Sequence, residues 1–130
     1  SALHAFWRVL RIGGVAVISL VHPAFDFYGP GKWEMTERDP VTKRRKGKHF
    51  IMDDYYAERE YERVWKRTDG TEFPAPIIFF HRTVSRYVDA VLSAGFALEA
   101  LEEPLPVTDD DFFERERRIP FFLVFKARKR

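Results

Sequence analysis

The chain has 130 residues, of which 45% are hydrophobic and 32% are charged, and its formal net charge at pH 7 is +2. This length and balance fit one soluble globular domain and exclude two. The absence of cysteine excludes disulfides, cysteine-ligated zinc and a cysteine nucleophile. The longest apolar stretch, Val15–Val21, is much shorter than the ~20 residues that span a bilayer. No charged segment followed by an apolar run opens the chain, so we expect no signal peptide and a cytoplasmic location without membrane contact.

The first predicted elements are a helix and a buried strand. Apolar residues near the N-terminus recur at helical spacing, namely Leu3, Phe6, Trp7 and Leu10. Gly13 and Gly14 supply the helix end, and the apolar, β-branched run Gly14–Leu20 is typical of a strand buried on both faces. Pro23, just after His22, ends that strand. Because a packing helix starts almost at the first residue, we expect a further segment upstream.

Residues 24–80 are predicted to form an insertion. No periodicity is visible up to about Glu60, which is typical of a functional loop or lid. Asp69-Gly70 lies between the strand-like segments Tyr61–Lys66 and Phe73–Phe80 and predicts a β-hairpin. We therefore interpret residues 24–80 as a lid on the substrate side of the domain.

The last third of the chain is predicted to hold one helix and two strands. Apolar residues at spacings of three and four predict the helix: Val84, Tyr87, Val88, Val91 and Leu92. Thr83 is expected to cap its start, and Gly95 to end it. Phe96–Leu101 and Pro120–Ala127 are the strands, with a polar loop and a short helix between them. Parallel neighbouring strands need a long crossover connection, usually a helix. Because this loop does not supply one, the two strands should be antiparallel if they share a sheet.

Three motifs in register resemble class I methyltransferases that use S-adenosylmethionine. Leu10–Val17 resembles the "L-(K/R)-P-G-G" turn and the strand that follows it, with Ile12 in place of the usual proline. Ala94–Phe96 resembles the "A-G-F" turn before the sixth strand, and Pro120–Ala127 resembles the final antiparallel strand. The resemblance implies an α/β fold: a partial Rossmann-like methyltransferase fold with a small mixed sheet, an antiparallel last strand, two helices and a β-hairpin insertion. Residues 1–130 would be a single domain, the C-terminal part of a methyltransferase domain.

The cofactor-binding features of that family are missing from this sequence. The family uses a glycine-rich loop after the first strand and an acidic residue that holds the ribose. Here Gly29-Pro30-Gly31 follows no strand directly and opens no helix. We therefore expect S-adenosylmethionine to bind the longer parent protein and not this chain alone. The expected partners are the N-terminal half of the same protein and, through the unpaired edge of Val15–Leu20, a second copy of the chain.

His22 is the candidate catalytic residue, because ligands of open α/β sheets bind at the carboxyl ends of strands. An imidazole titrates near neutral pH and can serve as a general base or contact the substrate. The alternative is that His22 only satisfies backbone groups at the end of the strand. No metal site is expected, because the four histidines are far apart in the sequence and lack ligand spacing.

Four further residues are candidates for substrate binding: Tyr55, Tyr56, His81 and Arg82. The tyrosines would line a lid, and Arg82 would bind a carboxylate or phosphate in a bidentate manner. The alternatives are a surface turn for the tyrosines and, for Arg82, an ion pair with Glu102 or Glu103.

The resemblance implies that the chain is the substrate-recognising portion of a methyltransferase that acts on a small molecule, and that it is inactive alone. One alternative is a free-standing, non-catalytic interaction module. Another is a nucleic-acid-binding domain that uses the basic segments 43–48 and 126–130. The second is disfavoured because a nucleic-acid footprint needs a wider basic face with exposed aromatic residues beside it.

Overall fold

The computed structural model describes residues 1–130 and contains two α-helices, seven strands and two short 3-10 turns. The helices are α1 (Ala2–Val9) and α2 (Val84–Ser93). The strands are β1 (Val15–Val21), β2 (Gly31–Met35), β3 (Gly47–Met52), β4 (Arg59–Arg63), β5 (Ile77–His81), β6 (Phe96–Glu102) and β7 (Phe122–Lys129). The 3-10 turns are Pro23–Phe25 and Asp111–Phe113. No helix combines the length and the apolar character that would be needed to cross a membrane.

The main sheet has the strand order β1-β7-β6, with the last strand in the middle. β7 is antiparallel to both neighbours, with Val21 opposite Phe122 in one pair and Phe96 opposite Lys129 in the other. The antiparallel arrangement predicted for the last two strands is thus confirmed. The mixed sheet expected from the sequence is not observed. β1 and β6 run in the same direction, but because β7 separates them every paired neighbour is antiparallel.

The core lies on one face of this sheet, beneath both helices. Residues along β7 alternate between buried and accessible positions, as the two-residue period of a strand requires. The fully buried cluster consists of Val91, Ala94, Phe96, Leu123, Phe125 and Ala127. Leu3 and Leu10 bring the α1 segment onto this cluster, and Val84 and Val88 bring α2 onto it. The apolar periodicities seen in the sequence are therefore the surfaces by which the helices and the sheet pack.

The ends of α2 are as predicted. The Thr83 hydroxyl accepts a hydrogen bond from the backbone N–H of Arg86 at 3.2 Å and caps the helix. Gly95 follows the helix with a φ of +90°, a left-handed conformation that favours glycine. A Cβ atom on Gly95 would also lie 2.9 Å from the Trp7 indole nitrogen. Glycine thus allows the helix to turn sharply into β6 beneath α1.

Two hairpins fill the insertion between β1 and α2. β4 pairs with β5, and the turn around Asp69-Gly70 closes with a 2.9 Å hydrogen bond from the Gly70 N–H to the Arg67 carbonyl. This confirms the predicted hairpin, although regular pairing starts only at Arg63 opposite Ile77. The β2–β3 hairpin was not predicted. Its strands have five and six residues, and a register shift after Glu34 disrupts their alternation.

Lys129 joins the end of β7 to the end of α1. Its buried ammonium group donates hydrogen bonds of 2.7 Å to the carbonyls of Trp7 and Leu10 and lies 3.9 Å from the centre of the Trp7 indole ring. The last carbonyls of a helix have no partner within the helix. The side chain of Lys129, at the end of β7, therefore caps the C-terminal end of α1.

Replacing Lys129 with methionine should lower the free energy of unfolding by about 2–3 kcal/mol, because it leaves two carbonyls without their charged donor. Lys126→Met on the same strand is the matched control, since Lys126 is half-exposed and forms a surface ion pair with Glu99. The control should cost no more than about 1 kcal/mol. Urea denaturation measures both, and equal losses for the two variants would contradict the capping role.

Candidate functional site

His22 lies directly after β1 and is buried with both ring nitrogens in hydrogen bonds. Nδ1 accepts the backbone N–H of Ala24 at 3.1 Å, which starts the 3-10 turn. Nε2 is 2.7 Å from Oε1 of Glu103, just beyond the end of β6. Because Nδ1 is an acceptor, the proton is on Nε2, and Nε2–H donates to the carboxylate. His22 is thus a neutral imidazole with a defined tautomer, joined to a carboxylate that is 57% exposed.

Asp26, four residues after His22, forms a buried ion pair with His81. Oδ2 of Asp26 lies 3.1 Å from Nδ1 of His81, and the two side chains are 8% and 0% exposed. Nε2 of His81 donates to the carbonyl of Tyr55 at 2.8 Å. Oδ1 of Asp26 accepts the backbone N–H groups of Tyr28 at 3.1 Å and Gly29 at 2.9 Å. The carboxylate and the imidazole are thus fully engaged by one another and by the backbone.

Tyr55 links this ion pair to the start of α2. Its carbonyl receives the His81 hydrogen bond, and its hydroxyl accepts the backbone N–H of Val84 at 2.8 Å. The Tyr56 ring meets the Tyr55 ring edge-on, with 5.5 Å between the centroids, and Tyr56 is 86% exposed. Of the two tyrosines expected at the site, the structure brings only Tyr55 together with His81.

Arg82 lies beside the ion pair, at the boundary between β5 and α2. Nη1 donates to the carbonyl of His81 at 2.7 Å, and Nε is 3.6 Å from Glu58. Arg86 lies at the same distance from the other oxygen of Glu58. The expected alternative partners of Arg82, Glu102 and Glu103, are therefore wrong. The β4–β5 register pairs Arg59 with His81 and so places Glu58 next to Arg82.

A cleft of about 370 Å³ opens where the carboxyl end of β1 faces β5. Its wall is mostly apolar and includes the polar groups of Asp26, Arg82 and Tyr87; the lining residues are Ser19, Leu20, Val21, Pro23, Asp26, Ile78, Phe79, Phe80, Arg82, Tyr87 and Phe122. Burial raises the pKa of Tyr87 above its ordinary value of 10.0, and the nearby charge of Arg82 opposes this in part. The phenol is therefore neutral and donates to the Phe80 carbonyl at 3.0 Å.

Three residues at this site were missed in the sequence: Asp26, Glu58 and Tyr87. Asp26 carried a usable signal, since it follows His22 at the end of a strand where ligands of α/β folds bind. Tyr87 was assigned to the apolar face of α2, where its ring does pack against the core. Glu58 gave no local signal, because only the register of the β4–β5 hairpin brings it to Arg82.

The glycines that come closest to a nucleotide-binding motif are used for packing. A Cβ atom on Gly29 would lie 2.7 Å from the Asp26 carboxylate, and one on Gly31 would collide with the Phe50 ring. The chain's own side chains occupy the space beside both glycines. Gly29 and Gly31 therefore lack the open backbone of a nucleotide-binding loop.

Comparisons with known proteins agree with the resemblance seen in the motifs. No family model matches the sequence. An uncharacterised protein of Haemophilus influenzae is 26% identical over 125 residues, which span 92% of this chain and 44% of that protein. A solved structure from Listeria monocytogenes, assigned as an S-adenosylmethionine-dependent methyltransferase, superimposes with a TM-score of 0.73 at 25% identity. An S-adenosylmethionine-dependent methyltransferase from Mesorhizobium loti superimposes with a TM-score of 0.66 at 26% identity.

Both superpositions cover 98% of this chain and 53% of the other. The chain therefore has part of the fold of S-adenosylmethionine-dependent methyltransferases, as the motifs predicted. It spans about half the length of the solved structures it matches.

The hydrogen-bond pattern predicts the tautomer of His22. Because Nδ1 accepts the Ala24 N–H, we expect the ring proton on Nε2, where it faces Glu103. Long-range ¹⁵N–¹H correlation spectra of the chain distinguish the two tautomers through the ring nitrogen shifts. A proton on Nδ1 would contradict the hydrogen-bond pattern.

Proposed function

We propose that this chain is the C-terminal, substrate-recognising part of a class I methyltransferase that acts on a small molecule. The observation that carries the proposal is the cleft at the carboxyl end of β1, in a chain whose fold superimposes on about half of two such enzymes. Ligands of open α/β sheets bind at this end of the strands. Residues 24–80 form the hairpins beside the cleft, and we assign them the role of a substrate-side lid.

Each candidate residue has a proposed part in holding the methyl acceptor. Arg82 reaches the cleft and binds the acceptor directly, while Tyr55 and His81 keep the cleft wall in place. Exposed Tyr56 belongs to the outer surface of the lid and contacts the acceptor when the lid moves inward.

His22 is the proposed catalytic residue, although neither it nor Glu103 lines the cleft; His22 lies between the lining residues Val21 and Pro23. An acceptor oxygen or nitrogen that extends from the cleft to Nε2 would replace Glu103 as the partner of the Nε2–H donor. The displaced carboxylate of Glu103 is then the nearby group that can accept a proton from the acceptor. His22 thus orients the reacting atom, and Glu103 completes the proton transfer.

We propose that S-adenosylmethionine, which supplies an electrophilic methyl group, binds a segment of the longer cytoplasmic protein that is contributed by its N-terminal half. β7 occupies one edge of β1, and the other edge has no strand partner. Val17 is 69% exposed, and with Phe6, Val9, Leu10, Ala16 and Ile18 it borders an apolar groove. A parallel strand from the N-terminal half would pair with this edge and complete a Rossmann-like sheet. In the isolated chain, a second copy would pair there instead.

Calorimetry with S-adenosylmethionine tests the proposed function. The longer protein should bind the cofactor with a micromolar dissociation constant, whereas residues 1–130 alone should show no saturable binding. Tight binding by the isolated chain would contradict the proposal that the cofactor binds the N-terminal half of the longer protein. Absence of binding by the longer protein would contradict the methyltransferase assignment and favour a non-catalytic interaction module.

His22→Asn in the longer protein should lower turnover about 100-fold, the usual contribution of a positioned proton-transfer group. Asparagine can still accept the Ala24 N–H through Oδ1, so the turn after β1 is kept while the Nε2–H donor is lost. Turnover is measured as the release of S-adenosylhomocysteine when the protein is given S-adenosylmethionine and the small-molecule fraction of a cell extract. Glu103→Gln, which retains an acceptor for Nε2–H but not the basic carboxylate, should flatten the pH profile. Unchanged turnover in His22→Asn would leave His22 with a purely structural role.

A further inference from the structure

We propose that the cleft binds acceptors that combine an apolar body with a single carboxylate group. The inference rests on the proposed function, because it names the substrate class of the same site. It is based on the shape of the cleft, on its cationic residue Arg82 and on the free hydrogen-bond donors of that residue.

The cleft walls fit an apolar molecule of small-metabolite size. Its volume of about 370 Å³ lies in the range of small-molecule sites. Leu20, Val21 and Phe122 form one side, and Ile78 and Phe80 form the other. Such walls favour the binding of a branched or aromatic group, because burial of apolar surface is favourable. They do not favour a strongly hydrated group.

Arg82 is the cationic side chain that lines the cleft. Its Nε lies 3.6 Å from Glu58, too far for a hydrogen bond, so this contact leaves the guanidinium group free for a closer partner. The carboxylate of Asp26, which also lines the cleft, is held by His81 and by two backbone N–H groups. A carboxylate group on the acceptor would therefore bind at Arg82.

The guanidinium group of Arg82 has free N–H donors with which to bind a carboxylate. Its Nη1 is held by the His81 carbonyl at 2.7 Å, and the guanidinium group lies 5.7 Å from the centre of the Phe80 ring. Nη2 has no partner within the protein, and the side chain is 30% exposed at the cleft. A fixed planar guanidinium group with free N–H donors suits the two oxygens of a carboxylate.

For a dianion such as phosphate, the start of α2 is not part of the cleft lining, and two of its N–H groups are already bonded. The N–H of Val84 is taken by the Tyr55 hydroxyl, and that of Arg86 is taken by Thr83. A phosphate would thus face one guanidinium group and apolar walls, and its second charge would be uncompensated. The site therefore favours a carboxylate.

The test compares phenylacetate with its uncharged analogue phenylacetamide in ¹H–¹⁵N titrations of the chain. Phenylacetate should bind at least about tenfold more tightly, a difference of about 1.4 kcal/mol. Its largest shifts should fall on the amides of β1 from Ser19 to Val21 and on those of β5. Equal affinities, no binding of phenylacetate, or shifts confined to other surfaces would each overturn the proposal.

Three arginine variants then locate the anion-binding group. Arg82→Gln should reduce the preference for phenylacetate to less than about twofold, since the charge-assisted bond is lost. Arg86→Gln is the matched control, because Arg86 pairs with the same Glu58 but does not line the cleft, and the preference should persist. Arg82→Lys should retain part of the preference through its charge. Equal effects of Arg82→Gln and Arg86→Gln would overturn the role of Arg82.

The outcomes separate this inference from the function it rests on. If phenylacetate fails to bind selectively while the longer protein binds S-adenosylmethionine, only the acceptor class is wrong. If phenylacetate binds at Arg82 but the longer protein does not bind S-adenosylmethionine, the cleft binds carboxylates and the methyltransferase assignment fails.

Discussion

The ion pair between Asp26 and His81 is the interaction on which the candidate site depends. It fastens the turn after β1 to the end of β5, and through the Tyr55 carbonyl it also holds the loop after β3. Removing one partner from a buried pair leaves an uncompensated charge and typically costs about 3–5 kcal/mol. Asp26 lines the cleft and His81 precedes Arg82, so this contact joins the two sides of the candidate site. The hydrogen bonds from Val84 to Tyr55 and from Tyr87 to Phe80 add to the attachment of the insertion to α2.

Strong periodicity explains which elements could be predicted from the sequence. β1 and β7 are apolar runs, and α2 has a clear apolar stripe between a capping threonine and a left-handed glycine. The β2–β3 hairpin lacked such a signal because its short strands mix charged and aromatic residues. The expected mixed sheet was wrong because β7 lies between β1 and β6 and is antiparallel to both. No local pattern in the sequence encodes this strand order.

The candidate site was predictable where its residues lie next to strand ends. His22 and Arg82 were found in this way, since both flank elements with clear boundaries. Their partners were not, because the contacts from His22 to Glu103 and from Asp26 to His81 join residues separated by 81 and 55 positions. Such pairings depend on strand order and hairpin register, which no local pattern encodes. Histidine tautomers depend in turn on these distant partners.

The central position of β7 determines when this domain can become ordered during synthesis. β1 and β6 meet only through the final strand, and α1 receives its cap from Lys129. Residues up to Lys129 must therefore leave the ribosome before α1 and β1 have these partners. Contacts between such distant segments slow folding, and α1 and β1 expose their apolar faces in the meantime. Loss of the residues around Lys129 would thus be felt first at α1 and β1.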